Sequence, residues 1–249
     1  YSVSWYSEIM CKGERIIAVS ETVQNYLQNN YPDTNMLRVE LIYRGVSSNE
    51  FPYEYQPSLE WITQWQQDFP KLIGKKVLTL PGRLTRLKGH HDFIELIIKL
   101  KQTGEPIHGL IVGGEDPKRQ KYALELYERV ISEGLSDTIT FTGNRSDIRE
   151  IFAISSLVLS LSTKPESFGR TVLEALYMGI PVVSYSHGGV SEILSNIFPI
   201  GKVELKNIPQ LFEVVQQLLS TPVIVERTTL FLKQNMLNNT IKLYRDLLK

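Results

Sequence analysis

Short apolar runs recur along the chain, and a longer amphipathic segment follows most of them. The runs are rich in Val, Ile and Leu and are mostly continuous rather than alternating. Continuous apolar runs are typical of strands that are buried on both faces of a parallel sheet. They predict strands at residues 15–19, 37–42, 76–80, 107–112, 138–142, 157–161 and 180–185.

The segments between these runs carry helix signals. Residues 90–100 place apolar side chains at helical spacing. Asp116 and Pro117 predict an N-cap and a first-turn proline, for a helix that ends near residue 133. Further helices are predicted at residues 147–153, 171–178, 190–194 and 208–219. Alternating strands and helices predict an α/β fold, a doubly wound parallel sheet with helices on both faces.

The spacing of these signals divides the chain into four parts. The main α/β domain is predicted at residues 75–225. Residues 51–74 precede it as a linker with one helix, which Ser58 can cap. Residues 1–50 hold two predicted strands and one helix, too little for an independent domain. Residues 226–249 are predicted to form a long helix, and its apolar stripe, which includes Phe231, needs a partner surface.

Composition and missing motifs exclude several classes of protein. Lys+Arg and Asp+Glu both total 27 in 249 residues, and this zero net charge argues against a basic nucleic-acid binder. The single Cys11 fits a reducing compartment, and the four histidines lack metal-ligand spacing, so no metal is expected. No membrane span or signal peptide is expected, and the chain is expected to be a piece of something longer. The motifs of P-loop NTPases, ordinary NAD-binding oxidoreductases and α/β-hydrolases are absent.

A basic loop follows the predicted strand at residues 76–80. Residues 69–91 contain six basic side chains and no Asp or Glu. The last part of this segment lies between a strand and a helix, where ligands bind in open α/β sheets. Arg83, Arg86 and Lys88 are therefore candidate anion-binding residues. A solvated basic loop is the alternative, and it weighs more heavily for Arg86.

A second strand-to-helix junction lies at residues 163–179. Glu174 is the only polar residue in the stretch 172–178. A buried carboxylate has to be paired or hydrogen-bonded. Spacing alone favours a capping box, in which Glu174 accepts a hydrogen bond from the Thr171 backbone N–H.

The same junction also has the features of a ligand site. Gly169 lets the backbone approach a ligand closely, and the free N–H groups of a helix start form a phosphate site. Glu166 lies eight residues before Glu174. Two carboxylates beside an anion site suit hydrogen bonds to the hydroxyls of a sugar or ribose.

Three pairs of residues are weaker candidates. Gly113-Gly114 and Gly188-Gly189 follow predicted strands and could bring backbone N–H groups to a ligand. Either pair could equally form a turn, which is the favoured interpretation of Gly113-Gly114. His90-His91 is interpreted as a helix start rather than as a catalytic pair.

Together these residues resemble a known family. Residues 166–174 (ESFGRTVLE) resemble the E-x7-E signature of the family 4 retaining glycosyltransferases, which have the GT-B fold. Three further stretches match that family in chain order: residues 15–20 (RIIAVS), 82–89 (GR…KG) and 187–192 (HGGVSE). Residues 42–51 match its "IpNGvd...F" segment less well, because Arg44 and Ser47 stand for Asn and Asp. The resemblance covers nearly the whole chain.

The resemblance implies a donor substrate, a UDP-, GDP- or ADP-sugar, and no cofactor. Arg83 and Lys88 would hold the diphosphate and replace the metal ion that other glycosyltransferases need. Glu166 would hold the donor sugar, Glu174 the ribose, and Asn144-Arg145 would lie at the base. The implied catalytic residues are Glu166, Arg83 and Lys88. The implied donor-binding residues are Gly82, Arg83, Lys88, Asn144, Arg145, Glu166, Ser167, Phe168, Gly169, Arg170, Thr171 and Glu174.

The resemblance also implies a missing partner domain. A GT-B enzyme has two Rossmann-like domains with the active site between them, and the acceptor domain comes first. Residues 1–50 correspond only to the last strand and helix of that domain plus the crossover. The chain is therefore expected to be the C-terminal, donor-binding half, inactive by itself.

The biological role follows only at the level of the family. A role in polysaccharide or lipopolysaccharide assembly is expected, in the cytoplasm or, through the missing half, on the inner face of the membrane. No nucleic-acid partner is expected. A non-catalytic nucleotide-binding or assembly module is one alternative. Another GT-B enzyme, such as a sugar-nucleotide epimerase or a phosphorylase, is a second, and the E-x7-E spacing argues against it.

Overall fold

The computed structural model describes residues 8–116, 120–221 and 223–249. Within these ranges the strands are β1 (Ile16–Ala18), β2 (Val39–Leu41), β3 (Lys76–Pro81), β4 (Ile107–Val112), β5 (Ile139–Phe141), β6 (Leu157–Ser160), β7 (Val182–Tyr185) and β8 (Lys202–Val203). The α-helices are α1 (Glu21–Asn30), α2 (Leu59–Asp68), α3 (His90–Gln102), α4 (Gln120–Ser132), α5 (Ile148–Ala153), α6 (Arg170–Tyr177), α7 (Gly188–Ile197), α8 (Ile208–Ser220) and α9 (Lys233–Leu247).

Six of these strands form one parallel sheet, in the order β5-β4-β3-β6-β7-β8. All side chains of β4 and β7 are buried, which explains why their apolar residues do not alternate with polar ones. Helices α3 to α8 connect or flank the strands, and their apolar sides bury the sheet on both faces. The predicted fold class, an α/β doubly wound parallel sheet, is confirmed.

The order of the strands locates the edge of the sheet at which ligands bind in this class of fold. The chain runs outward from β3 through β4 to β5, then returns to β6 on the other side of β3. This reversal separates the connections that leave β3 and β6, and ligands of doubly wound sheets bind in the resulting crevice. The two connections are residues 82–89 and 161–169, the segments that the sequence singles out.

The first two strands form a separate, two-stranded parallel sheet. β1 pairs with β2 in the register Ile16 to Val39, and α1 connects the two strands. The buried apolar core of this unit consists of Ile16, Ala18 and Val39. A core of this size buries little apolar surface, so the position of the unit depends on its contacts with the larger domain.

Three predicted elements differ from the structure or lie partly outside the described residues. The helix expected after Asp116 and Pro117 is described only from Gln120, since Pro117 lies outside the described residues. The helix expected at residues 171–178 begins one residue earlier, at Arg170.

The third difference concerns the C-terminal helix, which begins only at Lys233. Phe231, which the sequence assigns to its apolar stripe, instead fills the core beside Tyr43, with ring centroids 5.1 Å apart. Val46 exchanges backbone hydrogen bonds with Phe231 and Lys233, each of 2.9 Å. The end of the chain is therefore anchored to the crossover, while Leu237, Ile241 and Tyr244 of α9 stay exposed.

Candidate functional site

Two helices begin at the crevice between β3 and β6. Helix α3 follows Gly89 and helix α6 follows Gly169, and both glycines have left-handed backbone, with φ of 72° and 98°. No side chain caps either helix, in contrast to α1 and α2, where Ser20 and Ser58 accept from backbone N–H groups. The first amides of α3 and α6 therefore remain free of side-chain caps, as an anion site at a helix start requires.

An ion pair bridges the crevice. Lys88 Nζ donates to Glu166 Oε1 at 2.6 Å, and Ser162 Oγ donates to the same oxygen at 2.5 Å. The two charged side chains are 34% and 27% exposed. Burial by itself raises the pKa of Glu166, but the hydrogen bonds from Lys88 and Ser162 outweigh it, so this pKa lies below its ordinary value. Glu166 is therefore an anion at neutral pH.

Arg83 lies in the same loop as Lys88. Its side chain is exposed and forms no hydrogen bond or ion pair with the described residues. Gly82, with φ of 144°, places its Cα against the methylene groups of Lys88, where a Cβ would lie 3.2 Å from Lys88 Cδ. A Cβ on Gly113 would collide with the carbonyl of Gly82, so Gly113 serves close backbone packing.

Arg86 and the two neighbouring histidines have structural partners. Arg86 Nη2 donates to Glu125 at 2.5 Å, and its guanidinium lies over the ring of Tyr122. This arrangement agrees with the alternative interpretation of Arg86. His90 begins α3 and is fully buried; its burial lowers its pKa to about 4 and leaves it neutral at pH 7. His91 bonds Glu125 at 3.0 Å, so neither histidine contacts the ion pair.

The capping box predicted for Thr171 and Glu174 is wrong. Gly169, and not Thr171, is the N-cap residue of α6, so Thr171 already lies within the helix. Glu174 Oε1 instead accepts a hydrogen bond from Arg170 Nε at 2.7 Å, one helical turn earlier. The Glu174 side chain is only 9% exposed, whereas that of Arg170 is 69% exposed. Burial raises the pKa of Glu174, Arg170 opposes this, and the charge of Glu50 adds to it.

The backbone between Glu166 and Gly169 packs tightly against α7. Gly189 N donates to the Glu166 carbonyl at 2.9 Å, and a Cβ on Gly188 would lie 2.7 Å from the same oxygen. A Cβ on Gly169 would collide with Val190. Gly188-Gly189 thus holds the loop that carries Glu166, and it does so through backbone contact.

The predicted base-binding pair, Asn144-Arg145, lies after β5 at the same edge of the sheet. Arg145 forms two hydrogen bonds to Asp147, of 2.9 and 2.6 Å, and Trp61 Nε1 donates to Asp147 at 2.8 Å. Asn144 is exposed and adjoins Gly114. Together with Trp65 these residues line a cavity of about 350 Å³. Arg145 is neutralised locally and is not in the group around Lys88.

Sequence reasoning missed Ser162 and His187. His187 Nε2 lies 2.6 Å from the Ser162 carbonyl, and Ser162 Oγ binds Glu166. The position of Ser162 just after β6 was the available signal, because side chains there face the crevice. Within the described residues no three His, Cys, Asp or Glu side chains group where a metal could be held.

Comparison with known proteins begins with a family match. Residues 62–230 match the family described as glycosyl transferases group 1. The lipopolysaccharide core biosynthesis mannosyltransferase LpsB of Rhizobium meliloti is 27% identical over 195 residues, which are 77% of this chain and 50% of that protein. The chain spans half or less of the length of the curated relatives it matches.

Solved structures resemble the chain over nearly its whole length. A glycosyltransferase from Rickettsia africae has a TM-score of 0.85 and 26% identity, covering 98% of this chain and 66% of that one. Anabaena Alr3699/HepE, in complex with UDP-glucose, has a TM-score of 0.71 and 25% identity, covering 83% of this chain and 54% of its own.

Proposed function

Because the chain belongs to the glycosyl transferases group 1 family, we propose that it is the donor-binding half of a retaining glycosyltransferase. Its substrate is a nucleotide-diphosphate sugar, which binds in the crevice between β3 and β6. The observation that carries this proposal is the Lys88–Glu166 ion pair at the strand-order reversal, with Arg83, which pairs with no described residue, in the same loop as Lys88. The cations and the helix amides there suit the diphosphate of such a donor, and the carboxylate suits the hydroxyl groups of its sugar.

The diphosphate is the part that the cations and amides suit. Arg83 has no partner to give up among the residues that the structure describes, and Lys88 can exchange its contact with Glu166 for a phosphate oxygen. The amides that begin α6, after Gly169, add neutral donors directed at the same anion. When the bond between the sugar and the diphosphate breaks, its electron pair moves to the phosphate oxygen. Two cations at that oxygen stabilise the charge that develops, without requiring a metal ion.

The two carboxylates suit the hydroxyl groups of the donor. Once Lys88 turns to the diphosphate, Glu166 can accept hydrogen bonds from the hydroxyls of the sugar while Ser162 still holds its position. Glu174 lies one helical turn into α6 and suits the ribose, whose hydroxyls would supplement the single bond from Arg170. Asn144 lies toward the β5 side of the edge and is proposed to meet the base, with Arg145 holding the local geometry through Asp147.

The whole protein would need a second half to transfer the sugar. The chain covers 50% of the mannosyltransferase LpsB and 54% of HepE. We propose that the remaining half supplies the acceptor site, so that this chain binds nucleotide but transfers sugar poorly or not at all. The resemblance to LpsB supports a role in polysaccharide or lipopolysaccharide synthesis. No described helix combines the length and apolar character that crossing a bilayer requires.

Calorimetric titration of the 249-residue chain with UDP, GDP and ADP in the presence of EDTA tests the proposal. We expect one of these nucleotides to bind without metal, with UDP favoured by the HepE complex. The Arg83→Ala and Glu174→Ala variants should each bind about tenfold more weakly, the loss of one charge-assisted contact.

Arg86→Ala is the matched control, because it removes the same charge from the same loop but from a side chain committed to Glu125. It should bind like the wild type. A folded chain that binds none of the three nucleotides would refute the proposed donor site in this chain. Equal losses in Arg83→Ala and Arg86→Ala would indicate a general electrostatic effect rather than a specific site.

A further inference from the structure

The first turn of α1 is capped by a carboxylate from a distant helix. Glu192, in α7, accepts hydrogen bonds from the backbone N–H of Glu21 at 2.9 Å and of Thr22 at 2.7 Å. Thr22 Oγ1 donates to the same carboxylate at 2.6 Å. Helix starts are commonly capped from within their own sequence, and negative charge is favourable there. Here that charge comes from the large domain, 171 residues away.

Ser20 makes a second connection at the same helix start. Its Oγ accepts from the Val23 backbone N–H at 3.1 Å, which is the ordinary N-cap bond. The same hydroxyl donates to the Ser167 carbonyl at 2.5 Å, and Ser20 is fully buried. Ser167 follows Glu166 directly, so α1 is bonded to the loop that carries the ion pair.

The loop is therefore held from two sides. On one side Gly189 N bonds the Glu166 carbonyl, and a Cβ on Gly189 would lie 2.6 Å from Phe168 Cα. On the other side Ser20 bonds the Ser167 carbonyl. Glu192 lies three residues after Gly189 on the same helix and ties α1 down where it meets the loop.

A neighbouring tyrosine completes this contact. Tyr43 packs on Phe168, with ring centroids 6.5 Å apart, and its hydroxyl donates to Glu21 at 3.4 Å. Burial and the carboxylates of Glu21 and Glu192 raise the pKa of Tyr43 to about 12, so it remains a neutral donor. Tyr43 therefore adds a neutral donor between the carboxylates of Glu21 and Glu192.

We propose that Glu192 is a positioning residue for the donor site. Through its bonds to Glu21 and Thr22 it fixes α1 against the loop 166–168, and the geometry of that loop sets the affinity for a nucleoside diphosphate. The unit formed by β1, α1 and β2 has a buried apolar core of three residues. Its position therefore depends on contacts with the larger domain, and these polar bonds are among them. This inference rests on the proposed function of the crevice. The further claim is that a displacement of the unit formed by β1, α1 and β2 changes the affinity for the donor.

Hydrogen exchange of the ligand-free 249-residue chain tests whether Glu192 holds α1 against the loop 166–168. In Glu192→Ala, amides in two separate segments, residues 21–24 and 166–171, should exchange about tenfold faster than in the wild type. Glu213→Ala is the control, because Glu213 is an exposed carboxylate on α8. Faster exchange at residues 21–24 alone would overturn the proposal, since α1 would then be capped without influencing the loop.

Nucleotide titration tests the functional part. Glu192→Ala should bind the preferred nucleotide about tenfold more weakly at a temperature where the variant is fully folded, the size of ordinary coupling between sites. Ser20→Ala should weaken binding too, and the double variant should lose less than the product of the two single losses, because both act through one contact. Unchanged affinity in a folded Glu192→Ala chain would refute the positioning role.

The two proposals fail in different ways. A wild-type chain that binds no nucleotide refutes the donor site, while the exchange experiment still decides the coupling. If Glu192→Ala does not fold, Thr22→Val removes one of the three bonds to Glu192 and keeps the backbone N–H. This variant should show the same pattern in both segments with a smaller change, and a change confined to residues 21–24 would again overturn the proposal.

Discussion

Glu166 and Glu174 lie eight residues apart, at the two ends of one loop-to-helix junction, but their environments differ. Glu166 receives hydrogen bonds from a lysine and a serine, and its pKa lies below the ordinary value. Glu174 is more buried, and its only ionic partner among the described residues is an arginine that is 69% exposed. Burial dominates there, and its pKa lies above the ordinary value.

This difference shows that two glutamates at a fixed spacing can have environments that suit different ligand groups. The charge of Glu166 is already compensated, so a ligand there has to exchange contacts with Lys88. Glu174 is poorly compensated, so hydrogen-bond donors on a ligand would stabilise its charged form directly. Glu166 therefore belongs to an ion pair that a ligand can exchange. Glu174 is a carboxylate whose charged form would be stabilised by neutral hydrogen-bond donors, such as the hydroxyl groups of a ribose.

Of the substitutions considered, replacing Lys88 should change the difference between the two carboxylates most. In Lys88→Ala, Glu166 loses its cation and its pKa should rise, which makes the two carboxylates alike. Nucleotide affinity should fall about 30-fold, because a charged contact is lost from a partly buried position. Calorimetry measures the affinity, and carbon NMR of labelled glutamate follows the titration of Glu166.

Lys71→Ala is a suitable control for the loss of a lysine. Lys71 pairs with Asp137 at the opposite edge of the sheet and is 52% exposed. Its removal should leave affinity and the titration of Glu166 unchanged. A Lys88→Ala chain with wild-type affinity would contradict the role of the ion pair in donor binding.

Neutralising Glu166 should change how stability depends on pH. The lowered pKa means that the charged form is favoured in the folded state. Its contribution is fully present above the ordinary glutamate value of 4.5 and is lost as the pH falls through the lower folded value. Relative to Glu166→Gln, the wild type should therefore gain about 1 kcal/mol between acid and neutral pH. Urea unfolding at a series of pH values below and above 5 measures this difference.

Neutralising Glu174 should change the pH dependence of stability in the opposite direction. Its raised pKa favours the protonated form in the folded state, so its contribution is fully present below 4.5 and is lost as the pH rises through the folded value. Relative to Glu174→Gln, the wild type should lose stability between pH 4 and pH 7, by less than about 1 kcal/mol. If the free energy of unfolding of the two variants, relative to the wild type, changed with pH in the same direction, the two carboxylates would not have different environments.

The sequence predicted the sheet well because its strands are buried on both faces. The apolar runs of β3 and β4 needed no knowledge of distant residues to be recognised. The start of α6 was misplaced, since Thr171 and Glu174 have the spacing of a capping box while the left-handed backbone of Gly169 begins the helix earlier. Backbone conformation at a glycine is not encoded in side-chain spacing.

Contacts between distant segments could not be predicted in the same way. The role of Arg145 at the base stays a prediction; the structure adds that Arg145 pairs with Asp147, which Trp61 contacts from 86 residues away. The bond from Ser20 to Ser167 spans 147 residues, and that from Glu192 to Glu21 spans 171. Local patterns indicated Arg83, Lys88, Glu166 and Glu174 as candidates, and their roles stay predictions. The ion pair of Lys88 with Glu166, which joins side chains 78 residues apart, is seen only in the folded chain.

The smallest effect is expected at Arg170, and it sharpens the comparison of the carboxylates. Arg170→Ala removes the cation that lowers the pKa of Glu174, so that pKa should rise further above its ordinary value. Stability at pH 7 should change by less than about 0.5 kcal/mol, because a pair with one well-exposed partner contributes little. Carbon NMR of Glu174 against pH measures the first effect and urea unfolding the second. Arg170→Lys, which keeps the charge without the guanidinium, should restore most of the titration shift. If Arg170→Ala instead destabilises the chain by several kcal/mol, the Arg170–Glu174 pair is part of the core of α6, and the contrast between the two carboxylates has to be revised.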